Sequence, residues 1–479
     1  MASVSSSTSQ QPLSTTAPSP TGSLANPLTN AQPARTPATV DDTPPAEYST
    51  AAVALLFCVP AAAGFNFGYD IGSTSYAIVQ LQSESFAGTD WWQTVAESPV
   101  LQGIIVSAAS AGALLSSLWV FQVADWLGRK RELQLGAALY LVGAALQAAS
   151  RFLPSAGVAC LLLGRVVYGA GIGISMHGAP TYLAEMGPSN IRGLLVSLKE
   201  ASIVLGILMG YVLGFAFSHT AGGWAWTYAC SSIVSVFMLI VSMWIPCSCR
   251  WLLLQGRDEE ALDSIRFVFF EEVAVYEFEA MRRLHESTTT DLATSGGPNS
   301  IWHPSRRAPL LAGVGLVILQ QITGQPSVLS YATPIFRDAG LSDYASVLVA
   351  AFKLVATLSA AVTVEKFGRK KLLYTGCTLM LVALVTLAFS FGREMPGLNG
   401  IILLSMFIYI GGYQLGFGPI SWLIISEVFP LSVRGQAVAL SVQMNFLLNA
   451  VVQFGVPVLE SAIGLKRIFG IFAFWTVYR

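Results

Sequence analysis

The side chains best suited to chemistry lie in the middle of long apolar runs. The stretch 310–336 is long enough to cross a bilayer, which takes about 20 helical residues. Yet its centre carries Gln320, Gln321, Gly324, Gln325, Pro326, Ser327, Ser330 and Tyr331. Amides and hydroxyls turned to lipid would leave donors and acceptors unpaired at several kcal/mol each. They are therefore expected to face a wet cavity or a ligand rich in hydroxyls, the alternative being that they only bond neighbouring helices. Gly324 and Pro326 weaken the helix at the same place, as in membrane helices interrupted at a central binding site. A second anomaly is Asp70, the one acid in the apolar run 51–81. Covalent catalysis is not indicated, because no nucleophile–base or metal set appears and His177, His219, His285 and His303 lie in unrelated segments. An enzyme, a cofactor and a metal site are accordingly not expected.

These residues must be positioned by membrane helices. The 479-residue chain is 53% hydrophobic and only 11% charged, against about 25% charged for an ordinary soluble domain. Its net charge of −1 offers nothing to a nucleic acid, and no phosphate-cradling glycine loop is present. Of the six cysteines, Cys58, Cys160, Cys230 and Cys377 lie in apolar runs, where a thiol acts as a small hydrophobe. Cys247 and Cys249 are too close for a disulfide and lack partner histidines. Residues 1–48 form a Ser/Thr/Pro/Ala-rich leader with Arg35, Asp41, Asp42 and Glu47 as its only charges. Such a segment cannot order itself; it is expected to be either a plastid transit peptide, although arginine is scarce, or a plain disordered tail.

Spans are expected near 51–81, 99–120, 132–149, 157–182, 194–217 and 224–246, making a first bundle over 51–246. A charged linker with surface helices fills 247–308. Spans near 310–336, 346–363, 372–391, 400–425 and 435–458 make a second bundle over 309–479. A twelfth begins near Ile468 and reaches Arg479 about eight residues short of a crossing, so this bundle is expected to be incomplete at its end. The turn Asp125-Trp-Leu-Gly128-Arg129-Lys130-Arg131 is sharply basic, which places it, the linker and the N-terminus on the face from which insertion began. The loop 82–98, with Glu84, Asp90 and Glu97, lies on the other face.

Spacing alone reveals a repeat. Asp125-x-x-Gly128-Arg129-Lys130 recurs as Glu365-x-x-Gly368-Arg369-Lys370, and Glu185 with Arg192-Gly193 recurs as Glu427 with Arg434-Gly435. The two offsets, from 125 to 365 and from 185 to 427, differ by only two residues. Two motifs in the same order at nearly one offset indicate two homologous six-span halves, the parallel repeat of the major facilitator fold. At span ends on the basic face these carboxylates and guanidinium groups are candidates for a gating salt-bridge network, or else fix topology only.

The stretches LGRKR, GRVVYGAGIG, YLAEMGPSNIRG, LQQITGQPSVLSY, FGPISWLIISEVFP and the second VRG resemble the sugar porters of the major facilitator superfamily over about 51–478. SLKE at 197–200 and ITGQPSVL at 322–329 look most like its plant and algal plastid branch of D-xylose–proton symporter-like proteins. The resemblance implies an all-α polytopic fold of two six-helix bundles and a sugar site built from Gln320, Gln321, Trp422 and Asn445. Gln414 and Asn449 are weaker candidates, and Tyr331 matches an aromatic gate. Amides suit vicinal hydroxyls and an indole covers an apolar sugar face. The resemblance also implies proton coupling through Asp70, with Arg165 beside it. Burial penalises a charged carboxylate and a nearby cation favours one, so movement of Arg165 would let Asp70 take up and release a proton.

Three positions depart from the wider family: Glu200 where Gln is usual among the sugar ligands, Lys353 mid-span where Asn is usual, and Pro326 for a common Asn. An ion pair between Lys353 and Glu200 across the cavity is the expectation, the alternative being that Lys353 snorkels or pairs elsewhere. The function expected is secondary active transport of a monosaccharide with protons by alternating access. A facilitative uniporter and a non-transporting sensor on the same fold are the alternatives. The expected partners are sugar, proton and lipid bilayer, with the chain acting as a monomer in the plastid envelope, or otherwise in the plasma or vacuolar membrane.

Overall fold

In the computed structural model of the chain, the long apolar runs are helical, two of them interrupted. The structure describes residues 47–294, 303, 307–391, 398–429 and 431–477, without the side chains at 285, 287–294, 307, 308, 361, 362, 364, 365, 419, 423, 425–427, 431–434 and 477. The leader reading of 1–48 thus falls almost wholly outside the described residues. Among those described, nine helices are long and apolar enough to cross a membrane.

The first half consists of α1 (Thr50–Leu81), α2 (Pro99–Leu127), α3 (Arg129–Ala149), α4 (Gly157–Met186), α5 (Arg192–Ala216) and α6 (Gly223–Trp244). Ser49 caps α1 by accepting from the Ala52 amide, and Ser98 caps α2 through the Leu101 amide. Small residues let these helices approach to backbone contact. A Cβ on Gly68 of α1 would lie 1.8 Å from the Ile203 carbonyl oxygen of α5, so nothing larger than glycine fits.

Among the described residues the linker holds three helices, α7 (Cys249–Leu254), α8 (Asp258–Arg266) and α9 (Glu271–Thr294). Their place on the basic face follows from contacts. Trp251 Nε1 and Gln255 Nε2 both donate to the Asp125 carbonyl, at 2.8 and 3.1 Å, and the Ser49 amide donates to the Val268 carbonyl at 2.9 Å. None of the six cysteines is in a disulfide.

The second half departs from a simple run of spans. The stretch expected as one span at 310–336 is three helices, α10 (Arg307–Ile322), α11 (Gln325–Ser330) and α12 (Ala332–Asp338). The break falls at Gly324, whose φ of +81° suits glycine and whose missing Cβ leaves room for the Phe472 ring. Pro326 then sits in the first turn of α11, where its lost N–H costs nothing. Next come α13 (Ala345–Phe367) and α14 (Arg369–Ser390). The single span expected at 400–425 is likewise divided at Phe417, into α15 (Leu398–Gly416) and α16 (Gly418–Val428), and α17 (Leu431–Ile463) and α18 (Leu465–Val477) close the chain.

The halves meet along α2 with α17 and α5 with α13. On the face of the acidic loop they are also latched by hydrogen bonds. Ser75 Oγ lies 3.1 Å from Thr333 Oγ1, Tyr76 donates to the Asp343 carbonyl at 2.5 Å, and Tyr211 donates to the Leu329 carbonyl at 2.5 Å. The largest apolar cluster runs through this side of both halves, with Tyr76, Ile78 and Tyr211 beside Tyr331, Phe336 and Met406.

Candidate substrate and proton site

Asp70 lies on α1 and Arg165 on α4. Packing of these helices brings the two together in a bidentate pair, Nη1 to Oδ1 at 3.0 Å and Nη2 to Oδ2 at 3.2 Å. The guanidinium also donates to Thr74 Oγ1 at 2.9 Å, Tyr228 Oη at 3.3 Å and the Val106 carbonyl at 3.2 Å. It lies 5.6 Å from the centre of the Tyr228 ring. A buried guanidinium is tolerable with this many acceptors, since its desolvation is offset by charge-assisted hydrogen bonds.

This pair lines a small cavity shared by both halves. Thr74 and Ser110 join Asp70 and Arg165 from the first half, and Ser330, Asn449 and Gln453 face them from the second. Ser110 donates toward Gln453 Oε1 at 2.9 Å and lies 3.2 Å from Asn449 Oδ1, while Gln453 Nε2 donates to Ser330 Oγ at 3.0 Å. Tyr331, the expected aromatic gate, is buried and donates to the Gln453 carbonyl at 2.9 Å.

The expected sugar amides are brought together as well. Gln321 Nε2 donates to Asn445 Oδ1, and Gln320 Nε2 donates to Tyr413 Oη at 2.6 Å. Both glutamines are buried, and among the described residues neither Oε1 has a hydrogen-bond partner. A buried, unpaired acceptor costs about 1–3 kcal/mol, a cost that a ligand hydroxyl would remove. Trp422 is half-buried in a small apolar group with Val317, Phe429 and Ala437. Gln414 accepts from Lys353 Nζ at 2.8 Å and donates to Thr357 Oγ1 at 2.7 Å.

The expected pairing of Lys353 with Glu200 is not formed. Glu200, on α5, is bound by its neighbour Lys199 at 2.6 Å and its side chain is 45% exposed. Lys353 turns instead to the neutral Gln414, and its Nζ lies 5.4 Å from the centre of the Tyr413 ring. A neighbouring ammonium on the same helix reaches Glu200 at less cost than one on the opposite half.

On the basic face, Arg129 lies 3.1 Å from Asp125, 3.5 Å from Glu185 and 3.7 Å from Glu132. Ser248 of the linker donates to Glu185. Arg192 stands apart from this network and donates to the Gly187 carbonyl at 3.3 and 3.2 Å. In the second copy Arg369 is exposed, and the side chains of Glu365, Glu427 and Arg434 lie outside the described residues.

Several residues at these sites escape a reading by motif. His177, set aside above as isolated, is 2.7 Å from the fully buried Glu132. Gln453 was discoverable: Asn445, Asn449 and Gln453 fall every four residues and so form one polar stripe along α17. Tyr413 carried no distinguishing signal beside other span aromatics.

A model of the family described as Sugar (and other) transporter matches residues 56–478, almost the whole of this helical architecture. The chain belongs to that family. The transporter is 39% identical over 451 residues to D-xylose-proton symporter-like 3, chloroplastic, of Arabidopsis thaliana, covering 89% of this chain and 78% of that one. It is also 39% identical over 455 residues to D-xylose-proton symporter-like 2 of the same plant, covering 91% and 88%. Among solved structures, it superimposes with a TM-score of 0.75 on the proton:xylose symporter XylE of the major facilitator superfamily, bound to 6-bromo-6-deoxy-D-glucose. That match has 26% identity and covers 90% of this transporter and 95% of XylE. The transporter is thus a multi-pass membrane protein of the major facilitator fold, and its family is one of carriers rather than enzymes.

Proposed function

We propose that this transporter carries a monosaccharide, a hexose or a pentose, together with protons by alternating access. The observation that supports it most is the Asp70–Arg165 couple on the wall of the cavity that Ser330, Asn449 and Gln453 close from the other half. Asp70 is the proton site and Arg165 its counter-charge. When Asp70 takes a proton, its hold on Arg165 weakens, while Thr74, Tyr228 and the Val106 carbonyl still accept from the two Nη groups. Once the couple parts, only these neutral acceptors offset the burial of the guanidinium, so its release is tied to rearrangement of the cavity. Gln320, Gln321 and Asn445 receive the sugar, with Gln414, Tyr331 and Trp422 flanking them. The Ser75–Thr333, Tyr76–Asp343 and Tyr211–Leu329 bonds hold the acidic-loop face shut and must break when it opens. The Arg129 network, drawn from the first half and the linker, is the candidate gating element on the basic face.

Counterflow with the purified chain and a panel of hexoses and pentoses tests this reading. Saturable exchange of at least one sugar is expected, with a raised half-saturation in Gln321→Ala, and no exchange of any sugar would overturn it. The plastid envelope is the membrane the chloroplastic relative suggests. A fluorescent protein fused behind residues 1–46 should enter plastids, and retention in the cytosol would remove that assignment.

A further inference from the structure

Lys353 is the feature of the second half that the transport reading leaves unexplained. It is 4% exposed in the middle of α13, and no carboxylate lies within ion-pair distance of it among the described residues. An ammonium buried among neutral groups is costly and needs a compensating use.

Its neighbours suggest that use. Gln414 Oε1 accepts from Nζ at 2.8 Å, and the Gln414 amide is anchored in turn on Thr357, one turn further along α13. The ammonium also lies over the Tyr413 ring, 5.4 Å from its centre, where the ring's negative face attracts a cation. Tyr413 Oη accepts from Gln320 Nε2 at 2.6 Å. With its Nε2 committed there, Gln320 keeps its Oε1 unpaired.

We propose that Lys353 is a positioning residue of the sugar site, holding Tyr413 and Gln414 so that Gln320 presents a free carbonyl oxygen to a sugar hydroxyl. This rests on the reading of Gln320 as a sugar ligand. It makes the site specific for a hydroxyl able to donate at that point. A side chain at 353 that carries no charge removes the cation over the Tyr413 ring and the donor to Gln414 Oε1, and so weakens the hold on the Tyr413 hydroxyl that Gln320 meets.

Equilibrium exchange by the purified full-length chain in liposomes tests the proposal, using whichever sugar the wild type exchanges. Lys353→Met keeps the length and removes the charge; Lys353→Arg keeps the charge; Tyr413→Phe keeps the ring and removes the hydroxyl. In Lys353→Met the half-saturating sugar concentration is expected to rise about tenfold, the effect of one lost hydrogen bond. Its maximal exchange rate should stay within about twofold of the wild type, since the chemistry of rocking is untouched. Lys353→Arg should recover most of the affinity. Tyr413→Phe should repeat the loss, and the Lys353→Met/Tyr413→Phe double variant should be no worse than either alone. An unchanged half-saturation in Lys353→Met, additive losses in the double variant, or failure of arginine to rescue would each overturn the proposal. Should Lys353→Met not fold, Tyr413→Phe and Lys353→Arg decide it: an unchanged half-saturation in the first, or a large rise in the second, overturns it. A wild type that exchanges no sugar overturns the transport reading itself, an outcome distinct from all of these.

Discussion

Arg165 grips both oxygens of Asp70, Nη1 to Oδ1 at 3.0 Å and Nη2 to Oδ2 at 3.2 Å, although 95 residues separate them in sequence. Both side chains are almost wholly withdrawn from solvent, at 1% and 8% exposure. In such surroundings neither charge is tolerable alone, so the state of one is tied to the position of the other.

That interdependence has a consequence for stability. Arg165→Gln leaves Asp70 as an unpaired buried anion and is expected to destabilise the protein by about 3–5 kcal/mol. Adding Asp70→Asn removes the stranded charge, so the double variant should melt above the single one. Thermal unfolding of the two proteins in detergent checks this, and a double variant less stable than Arg165→Gln would contradict it.

The latch on the acidic-loop face should be separable from transport chemistry. Thr333 Oγ1 accepts from Ser75 Oγ and shares a hydrogen bond with Ser346 Oγ, and the Thr333 amide donates to Ser75 Oγ at 3.0 Å. Thr333→Val removes the hydroxyl while keeping the volume, and is expected to populate the state open on that face. In a background without the six native cysteines, Ser330→Cys should then react faster with a membrane-impermeant thiol reagent added from the acidic-loop side. An equal rate with and without Thr333→Val would show that the hydroxyl holds nothing.

A weaker pair outside the membrane predicts a pH dependence of known sign. The Arg337 guanidinium, at 2.7 and 2.8 Å, holds the Asp343 carboxyl below its ordinary range. A carboxyl lowered by folding contributes stability above its unfolded value, near 3.9, and loses it as pH falls through the lowered one. The pair is partly exposed, so its worth is at most about 1 kcal/mol. Arg337→Gln should therefore lower the melting temperature at pH 7 and converge on the wild type below about pH 4. A difference that widens on acidification would reverse the assignment.

Much of this architecture is legible in the chain because a membrane enforces it. Apolar runs of helical length have one outcome, and the repeated Asp/Glu-x-x-Gly-Arg-Lys motif exposes the two halves without any coordinates. Polar residues in those runs are equally conspicuous: Asp70, Gln320 and Gln321 could be singled out because lipid penalises them. Pairing is what the sequence conceals. Lys353 and Glu200 are opposite charges in opposite halves, yet Lys199, one residue from Glu200 on the same helix, takes the carboxylate, and an aromatic ring and an amide take the lysine. Tyr413 joins the site through its hydroxyl and its ring, which no spacing rule distinguishes from other span aromatics. His177 and Glu132 meet only because α3 and α4 pack with small residues between them, Gly136 and Gly171 among these.

The most direct measurement is sugar accumulation in proteoliposomes with an imposed pH gradient, comparing the wild type with Asp70→Asn. The wild type is expected to concentrate sugar against its gradient while the pH difference lasts. Asp70→Asn is expected to exchange sugar at equilibrium without ever concentrating it. Uphill accumulation that survives in Asp70→Asn, or a wild type indifferent to the pH gradient, would contradict proton coupling through Asp70.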